Sequence, residues 1–433
     1  MPTSETLTSS ARRIILFYLG VLVVLLTLGM PSGGLIEVPM FILMKNKLHL
    51  EAHQVATFRF LGAAPLYLSV LFGLARDIWN PFGMKDRGFI ILFGGASAAV
   101  YAVFCFVPAH YSTLLIALLL VKVSFLFVSS AQNGLTSVIA QQNLMSGQIS
   151  AAWNTFLNVC GIVALLAGGY FTRFLETWGS TQAAFHALFL LGAAIWATIA
   201  LYGFWRPGTV FDNIRPEREA VRKPLEGIRR LIKHRALYPA FFIWLLWNFQ
   251  PGSDTSLFYY LENTIHLDDA VFGQWNAINT ASFIPAFLLF GFLCRKIALR
   301  YLLFGAALAA IPQWAPLLFI HSVNGALIAA VPIGLLGGAA TAGFLALIIR
   351  SCPPGLQGTT LMMAGGLNVV AARFGDVLGT ELYDHFGGFS ACVVTMAVVY
   401  TAILPILFCV PRGLIATSDG QSYESGHTNL QGL

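Results

Sequence analysis

The stretch NFQPGSDTSLFYYLENTIHL runs from Asn248 to Leu267 and follows directly on the apolar run PAFFIWLLW. It breaks into Asn248, Gln250, Pro251, Gly252, Ser253 and the acid Asp254, then resumes with Leu257, Phe258, Tyr259 and Tyr260. A soluble core helix has no use for such a break, and a surface loop is not flanked this way. The rest of the chain supplies the setting. Of 433 residues 57% are hydrophobic, 13% aromatic and only 10% charged, against about 25% charged in soluble domains. Apolar runs of roughly 20 residues recur from end to end, each long enough to cross a hydrocarbon layer as helix. The stretch therefore reads as an interruption inside a membrane span.

Runs bounded by charges, Gly/Pro and polar clusters give twelve spans near 14–43, 52–75, 88–109, 112–138, 146–174, 182–205, 237–262, 270–293, 301–321, 324–349, 357–383 and 388–411. The expected organisation is a cytoplasmic tail (1–13), a six-helix bundle (14–205), a cytoplasmic linker (206–236), a second six-helix bundle (237–411) and a cytoplasmic tail (412–433). The leader MPTSETLTSSARR lacks the pattern of a cleaved signal peptide. The linker segment RPEREAVRKPLEGIRRLIKHR is basic at nearly every turn and reads as an amphipathic helix on the membrane surface. With the amino terminus inside, 19 of the 25 Lys and Arg fall on the inner face, Lys45, Lys47 and Arg173 outside, and Arg59, Lys122 and Arg373 within spans. The net charge of +6 is thus membrane topology and not a nucleic-acid footprint. The six cysteines are scattered singly with no Cys-x-x-Cys pair, so neither disulfides nor a metal site is expected.

The two halves repeat each other. Pro31 in MPSGGLIEVPMF and Pro251 in QPGSDTSLFY are 220 residues apart; Gly73 and Gly291 are 218 apart; Asn158 and Asn368 are 210 apart. Three similar offsets in order indicate a duplicated six-helix unit, a parallel repeat that resembles the plan of the major facilitator superfamily.

The loop from Gly73-Leu-Ala-Arg-Asp77 through Gly83-Met-Lys85-Asp-Arg87 resembles the signature that superfamily carries between its second and third helices. Glycine there lets two helices approach closely, and the acid accepts hydrogen bonds at the cytoplasmic end of a neighbouring helix, holding an inner gate. QPGSDTSLFYYLENTIHLDDAVFGQW and CPPGLQGTTLMMAGGLNVVAARFGDVLG are similar to the corresponding regions of folate–biopterin transporters, and APLYLSVLFGLARD to those and to the muropeptide permeases. The chain departs from that family at Asn133 and Gln357, where acids are usual. The resemblance implies an all-α membrane protein with twelve transmembrane helices in two pseudo-symmetric bundles, spans 3, 6, 9 and 12 lying outside and the other eight around a central cavity.

Six charges fall inside spans: Glu37, Arg59, Lys122, Asp254, Arg373 and Asp376. A charge in mid-bilayer costs about 3 kcal/mol even on the lenient insertion scale and so calls for a partner or a wet interior. Arg59, Lys122 and Arg373 are expected to attract an anionic group; Asp254 is expected both to contact the substrate and, with Glu37 and Asp376, to serve proton coupling. Bland alternatives stand beside these. Arg373 and Asp376, three apart on one face, are spaced to pair with each other; Glu37 is near the outer interface; Lys122 is a candidate counter-ion to Asp254. Asn154, Asn158, Asn248, Gln250, Trp275, Asn276, Asn279 and Asn368 complete the expected substrate-binding set, offering stacking and hydrogen bonds.

The resulting expectation is a secondary transporter that moves a small organic anion or zwitterion by alternating access with proton coupling. The alternatives are efflux of a cationic or amphipathic compound, and a non-transporting membrane assembly factor. No Walker, His-Glu-x-x-His or Gly-x-Ser-x-Gly motif points to an enzyme, and no cofactor is expected. The expected partners are a small-molecule substrate and membrane lipid, without nucleic acid. A monomer is expected in the plasma membrane, or the inner membrane of a bacterium.

Overall fold

The structure, a computed structural model, describes residues 8–50, 52–177, 180–212, 224–267 and 269–421. Most of the amino-terminal leader, the middle of the expected linker (213–223) and the end of the carboxy-terminal tail lie outside the described residues. Within them the chain is helical throughout. Spans 1 and 2 are each split, into α1 (Ser9–Gly29) and α2 (Glu37–Asn46), then α3 (Ala52–Tyr67) and α4 (Ser69–Ile78). Spans 3 to 6 are α5 (Asp86–Phe104), α6 (Tyr111–Gln142), α7 (Ser146–Glu176) and α8 (Thr181–Tyr202). The short α9 (Gly208–Phe211) and α10 (Pro224–Lys233) flank the undescribed part of the linker. The second half comprises α11 (Leu237–Asn248), α12 (Thr255–Asn263), α13 (Asp269–Leu293), α14 (Leu299–Ala310), α15 (Val323–Ser351), α16 (Gln357–His385), α17 (Gly388–Thr401) and α18 (Ile403–Cys409). A last turn, α19 (Arg412–Ile415), ends the helical part of the chain.

Eleven of the twelve spans are long and apolar enough to cross a membrane; the twelfth is span 7, which the opening stretch cuts into α11 and α12. The ends have local causes. The Ser322 hydroxyl accepts from Gly325 N at 3.2 Å to start α15, which stops at Ser351 ahead of Pro353 and Pro354. Span 9 stops at Ala310 ahead of Pro312 and resumes as a 3-10 turn over Ala315–Phe319. On α10, Leu225, Ile228 and Ile232 lie exposed along one side beside Arg229, Arg230 and Lys233, an amphipathic pattern. The outer faces of the spans leave Phe17, Leu166, Tyr170, Phe242 and Phe408 more than half exposed, a belt suited to lipid.

The breaks in spans 1 and 7 fall at the two prolines the repeat pairs, Pro31 and Pro251. In hydrocarbon a freed backbone group needs another partner or a water-lined cavity. Both breaks receive one from a carboxylate: Glu37 accepts from Gly33 N, and Asp376 accepts from Thr255 N and Oγ1 at 3.0 and 3.1 Å. A glycine on the fifth span of each half lets the broken backbone approach. A Cβ at Gly168 would sit 3.1 Å from Leu35 O, and one at Gly379 would sit 1.5 Å from Pro251 O. These glycines are related by nearly the offset that relates Asn158 to Asn368.

One end of the bundle carries most of the Lys and Arg, and there the halves are joined. Ser69 Oγ donates to Met362 O at 3.0 Å, Ser150 Oγ to Ala342 O at 2.8 Å, and Gln141 Nε2 to Ile349 O and Cys352 O at 2.9 and 2.8 Å. At the opposite end Arg59, Asp254 and Arg373 are well exposed. The molecule is closed at its basic end and open at the other.

The glycine contacts predict that Gly379→Ala forces α16 away from the span-7 break. Thermal unfolding in detergent should show a loss of about 1–3 kcal/mol or more, the usual range for overpacking. Gly305→Ala, where nothing lies within 4 Å of the added atom, should leave the unfolding midpoint unchanged or raise it.

Candidate functional site

Between the halves lies a cavity of about 530 Å³. Its walls combine five tryptophans (Trp153, Trp244, Trp247, Trp275 and Trp314) with eight amides (Asn133, Asn154, Asn248, Gln250, Asn276, Asn279, Gln313 and Asn368). Thr136, Ser253 and Thr341 add hydroxyls, and no ionisable side chain is among the described residues that line it.

Five of the amides are held by backbone carbonyls, Gln313 by one on α15 and the others by one three or four residues back in the chain. Asn154 Nδ2 donates to Ser150 O at 2.9 Å, Asn248 Nδ2 to Trp244 O at 2.7 Å and Asn276 Nδ2 to Phe272 O at 3.2 Å. Gln250 Nε2 donates to Trp247 O at 2.9 Å and Gln313 Nε2 to Ile333 O at 3.0 Å. A carbonyl only accepts, so each bond fixes which end of the amide is nitrogen and leaves the amide oxygen for another donor. The buried Asn279 Oδ1 and Gln313 Oε1 have no hydrogen-bond partner among the described residues. Two indoles are committed to the scaffold: Trp244 Nε1 donates to Ala364 O at 2.9 Å and Trp275 Nε1 to Ala326 O at 3.0 Å. The cavity thus presents aromatic faces and hydrogen-bond acceptors.

Asn154, Asn248, Gln250, Trp275, Asn276, Asn279 and Asn368 of the expected set converge here. Asn158 does not line the cavity and donates to Asn154 O at 2.8 Å. The in-span charges lie outside it. Arg373 meets Asp254 at 3.9 Å near the open mouth, where both side chains are 69% exposed. The alternative pairing of Arg373 with Asp376 gives way to this one, because Asp376 is engaged by Thr255. Arg59 lies 4.0 Å from Glu37 and stacks over Phe41 at 4.2 Å. Lys122 is 5% exposed, packs near Gly62, and its acidic neighbour is Glu37; Asp254, considered for that part, pairs with Arg373.

Residue types alone did not mark Trp153, Trp244, Trp247, Gln313 or Trp314 as cavity-lining. The first three look like span-filling aromatics. Gln313 and Trp314 belong to span 9, which the repeat plan puts outside; they reach inward because Pro312 unwinds that span. The legible signal was a proline beside Gln-Trp inside an apolar run.

At the closed end the loop between spans 2 and 3 forms a clasp. Asp77, fully buried, accepts from Gly358 N at 3.2 Å, Thr359 N at 2.7 Å and Thr359 Oγ1 at 2.6 Å, the first turn of α16. A Cβ at Gly73 would lie 2.7 Å from Thr359 Cα, so only glycine permits this crossing. Gly83 (φ +70°) and Lys85 (φ +49°) turn the loop, with Lys85 N donating to Asn80 Oδ1 at 2.6 Å. Arg87 donates to Gly203 O and Phe204 O at 2.9 and 2.8 Å, satisfying the end of α8. Two further residues carry the clasp: Arg76 bridges Asp77 at 2.7 Å and Asp86 at 2.5 Å, holding the capping carboxylate in place.

The sequence is 22% identical to a folate-biopterin transporter of Synechocystis sp. (strain ATCC 27184 / PCC 6803 / Kazusa) over 412 residues, 90% of this chain and 80% of that protein. The fold is similar to that of a single-residue variant of the E. coli fucose:proton symporter FucP (14% identity, 92% of this chain and 98% of that chain, TM-score 0.66). It is also similar to the human organic anion transporter MFSD10 (15% identity, 92% and 100% covered, TM-score 0.64). The sequence profile of the Major Facilitator Superfamily matches residues 39–380, most of the length. With that match added to twelve spans, a broken pair at Pro31 and Pro251 and the Asp77 clasp, the chain belongs to the Major Facilitator Superfamily.

Proposed function

We propose that this protein is a secondary transporter working by alternating access on a polar, ring-bearing organic solute rich in N–H or O–H donors. The observation that carries the reading is the cavity itself: five indoles and eight amides with no ionisable group among them. Indole faces stack on flat or hydrophobic ring faces, and oriented amide oxygens accept from ring N–H or O–H groups. A ring held this way needs no charge. An anionic or zwitterionic substituent on it would meet Arg373, which lies five residues past Asn368 on α16, about 7.5 Å further toward the mouth. The name of the Synechocystis relative suggests folate and biopterin as the first compounds to try, since a pterin is flat and carries several N–H donors. Efflux of a cation has less support, because Glu37, Asp254 and Asp376 all lie outside the cavity.

Taking the basic end as cytoplasmic, this conformation faces outward. Asp77 then holds the inner end shut, and its bonds to α16 must break for the solute to leave inward. Proton coupling is assigned to two acid–base sets outside the cavity, Asp254 with Arg373 and Glu37 with Arg59 and Lys122.

Binding is tested first by thermal shift against biopterin, folate, a purine base and a hexose. A bound compound at 100 times its dissociation constant should stabilise by about 2.7 kcal/mol, and no shift with any N–H- or O–H-rich ring compound overturns the assignment. The Asn368 side chain has no protein hydrogen bond among the described residues. Asn368→Ala should therefore weaken binding of the identified compound about 2- to 12-fold, the worth of one net hydrogen bond, without moving the unfolding midpoint; unchanged affinity removes Asn368 from the site. Asp254→Asn should abolish pH-driven accumulation in vesicles and spare substrate exchange, whereas full pH-driven uptake excludes it from coupling. Asp77→Asn should slow transport and favour the inward-open state by about tenfold or more, read as spin-label distances across the mouth; an unchanged distance distribution makes the loop an ordinary turn.

A further inference from the structure

Closing the basic end takes a second clasp, supplied by a different part of the chain. The first turn of α7 is the repeat counterpart of the first turn of α16: Gly147 and Gln148 precede Gly358 and Thr359 by 211 residues. In the first half the acid that meets α16 comes from the loop between spans 2 and 3. The corresponding loop between spans 8 and 9, Arg295 to Ala298, contains no acid. The segment after span 12 fills that place. Asp419, fully buried, accepts from Gln148 N at 2.9 Å, Gly147 N at 3.3 Å and Ser146 Oγ at 3.3 Å.

The segment is anchored to both halves. Arg350, at the basic end of α15 and 1% exposed, donates to Asp419 Oδ1 at 2.9 Å, Ser146 Oγ at 2.6 Å, Leu414 O at 2.8 Å and Thr417 O at 3.0 Å. Asp419 N donates to Cys294 O, and Gly420 N to Leu144 O, both at 2.8 Å. Gly420 turns there with φ +89°. A buried arginine–carboxylate pair with every bond made is costly to break from one side only, and these bonds span the interface that must open.

We propose that residues 412–420 are a strap across the inner gate, in which Asp419 is a positioning residue that holds α7 against the second half and must leave α7 for the basic end to open. This goes beyond the transport reading and is independent of the substrate, and it gives the carboxy-terminal segment a part in the cycle equal to that of the Asp77 loop.

Two native thiols report on it. Cys294 Sγ lies 3.5 Å from Asp419 Oδ2 and 2.8 Å from where a Gly147 Cβ would be. Burial, then the Asp419 carboxylate, push that thiol above its ordinary range, so it is unreactive while the strap is in place. Cys352, beneath the Asp77 clasp, is pushed up to about 12 by burial. The experiment measures N-ethylmaleimide labelling of full-length protein in lipid vesicles, residue by residue by mass spectrometry, with Asn276→Cys added as a reporter in the open mouth. In Asp419→Asn both Cys294 and Cys352 should label about tenfold faster or more, while the residue-276 reporter labels more slowly as the mouth closes. The double variant Arg350→Gln/Asp419→Asn, which leaves no buried charge unpaired, should behave alike and covers the case in which the single variant fails to fold. Faster labelling of Cys294 alone would make the segment a local lid and overturn the proposal. Unchanged labelling of both thiols, or faster labelling with no change at residue 276, would overturn it too.

Discussion

A backbone amide inside a hydrocarbon layer must find an acceptor, and four carboxylates in this chain answer that constraint at four points. Glu37 serves the break in span 1, Asp376 the break in span 7, Asp77 the start of α16 and Asp419 the start of α7. Each also sits where helix dipoles favour negative charge. The first two acids act within one half and keep a broken span in place. The other two act between halves and close one end. The cavity exists because the spans around it are interrupted and its basic end is sealed, so its shape depends on all four.

Charged side chains and the cavity lining are separated in space. Apart from Lys122, buried in mid-α6 near Glu37, the acids and bases that a membrane span retains at a cost lie at helix ends, in the clasps and on the rim. The chamber between them is furnished mainly with indoles, amides and a few hydroxyls, and no ionisable side chain is among the described residues that line it. This division has a physical logic. A fixed charge in the chamber would need a counter-charge on every solute that passes, whereas amides whose nitrogens are tied to backbone carbonyls present oxygens as preorganised acceptors that lose little entropy on binding. Glycines on α7 and α16 complete the scheme by letting broken backbone pass within contact distance.

Much of this is legible in the order of residues. Twelve apolar runs, the offsets relating Pro31 to Pro251 and Asn158 to Asn368, and the loop from Gly73 to Arg87 all stand there. Seven of the expected substrate-binding residues, Asn154, Asn248, Gln250, Trp275, Asn276, Asn279 and Asn368, line the cavity, because polar side chains inside apolar runs avoid lipid. Arg59, Lys122, Asp254 and Arg373 were grouped with them on the same logic, yet the structure spreads them around the rim and the first half. A one-dimensional reading shows that a charge is within a span and does not show which way its helix face turns.

The residue order by itself determined the features that composition and period control: a helical membrane protein, its spans, its repeat and its breakpoints. Hydrocarbon admits only self-satisfied helices, and that rule acts on each segment separately. Tertiary structure decided what depends on which surfaces meet. It paired Arg373 with Asp254 instead of Asp376, brought Gln313 and Trp314 inward from an outer span, and joined Asp419 to α7 across 271 residues of chain. These partners are distant in sequence and chosen by packing geometry, which no local pattern of residues encodes.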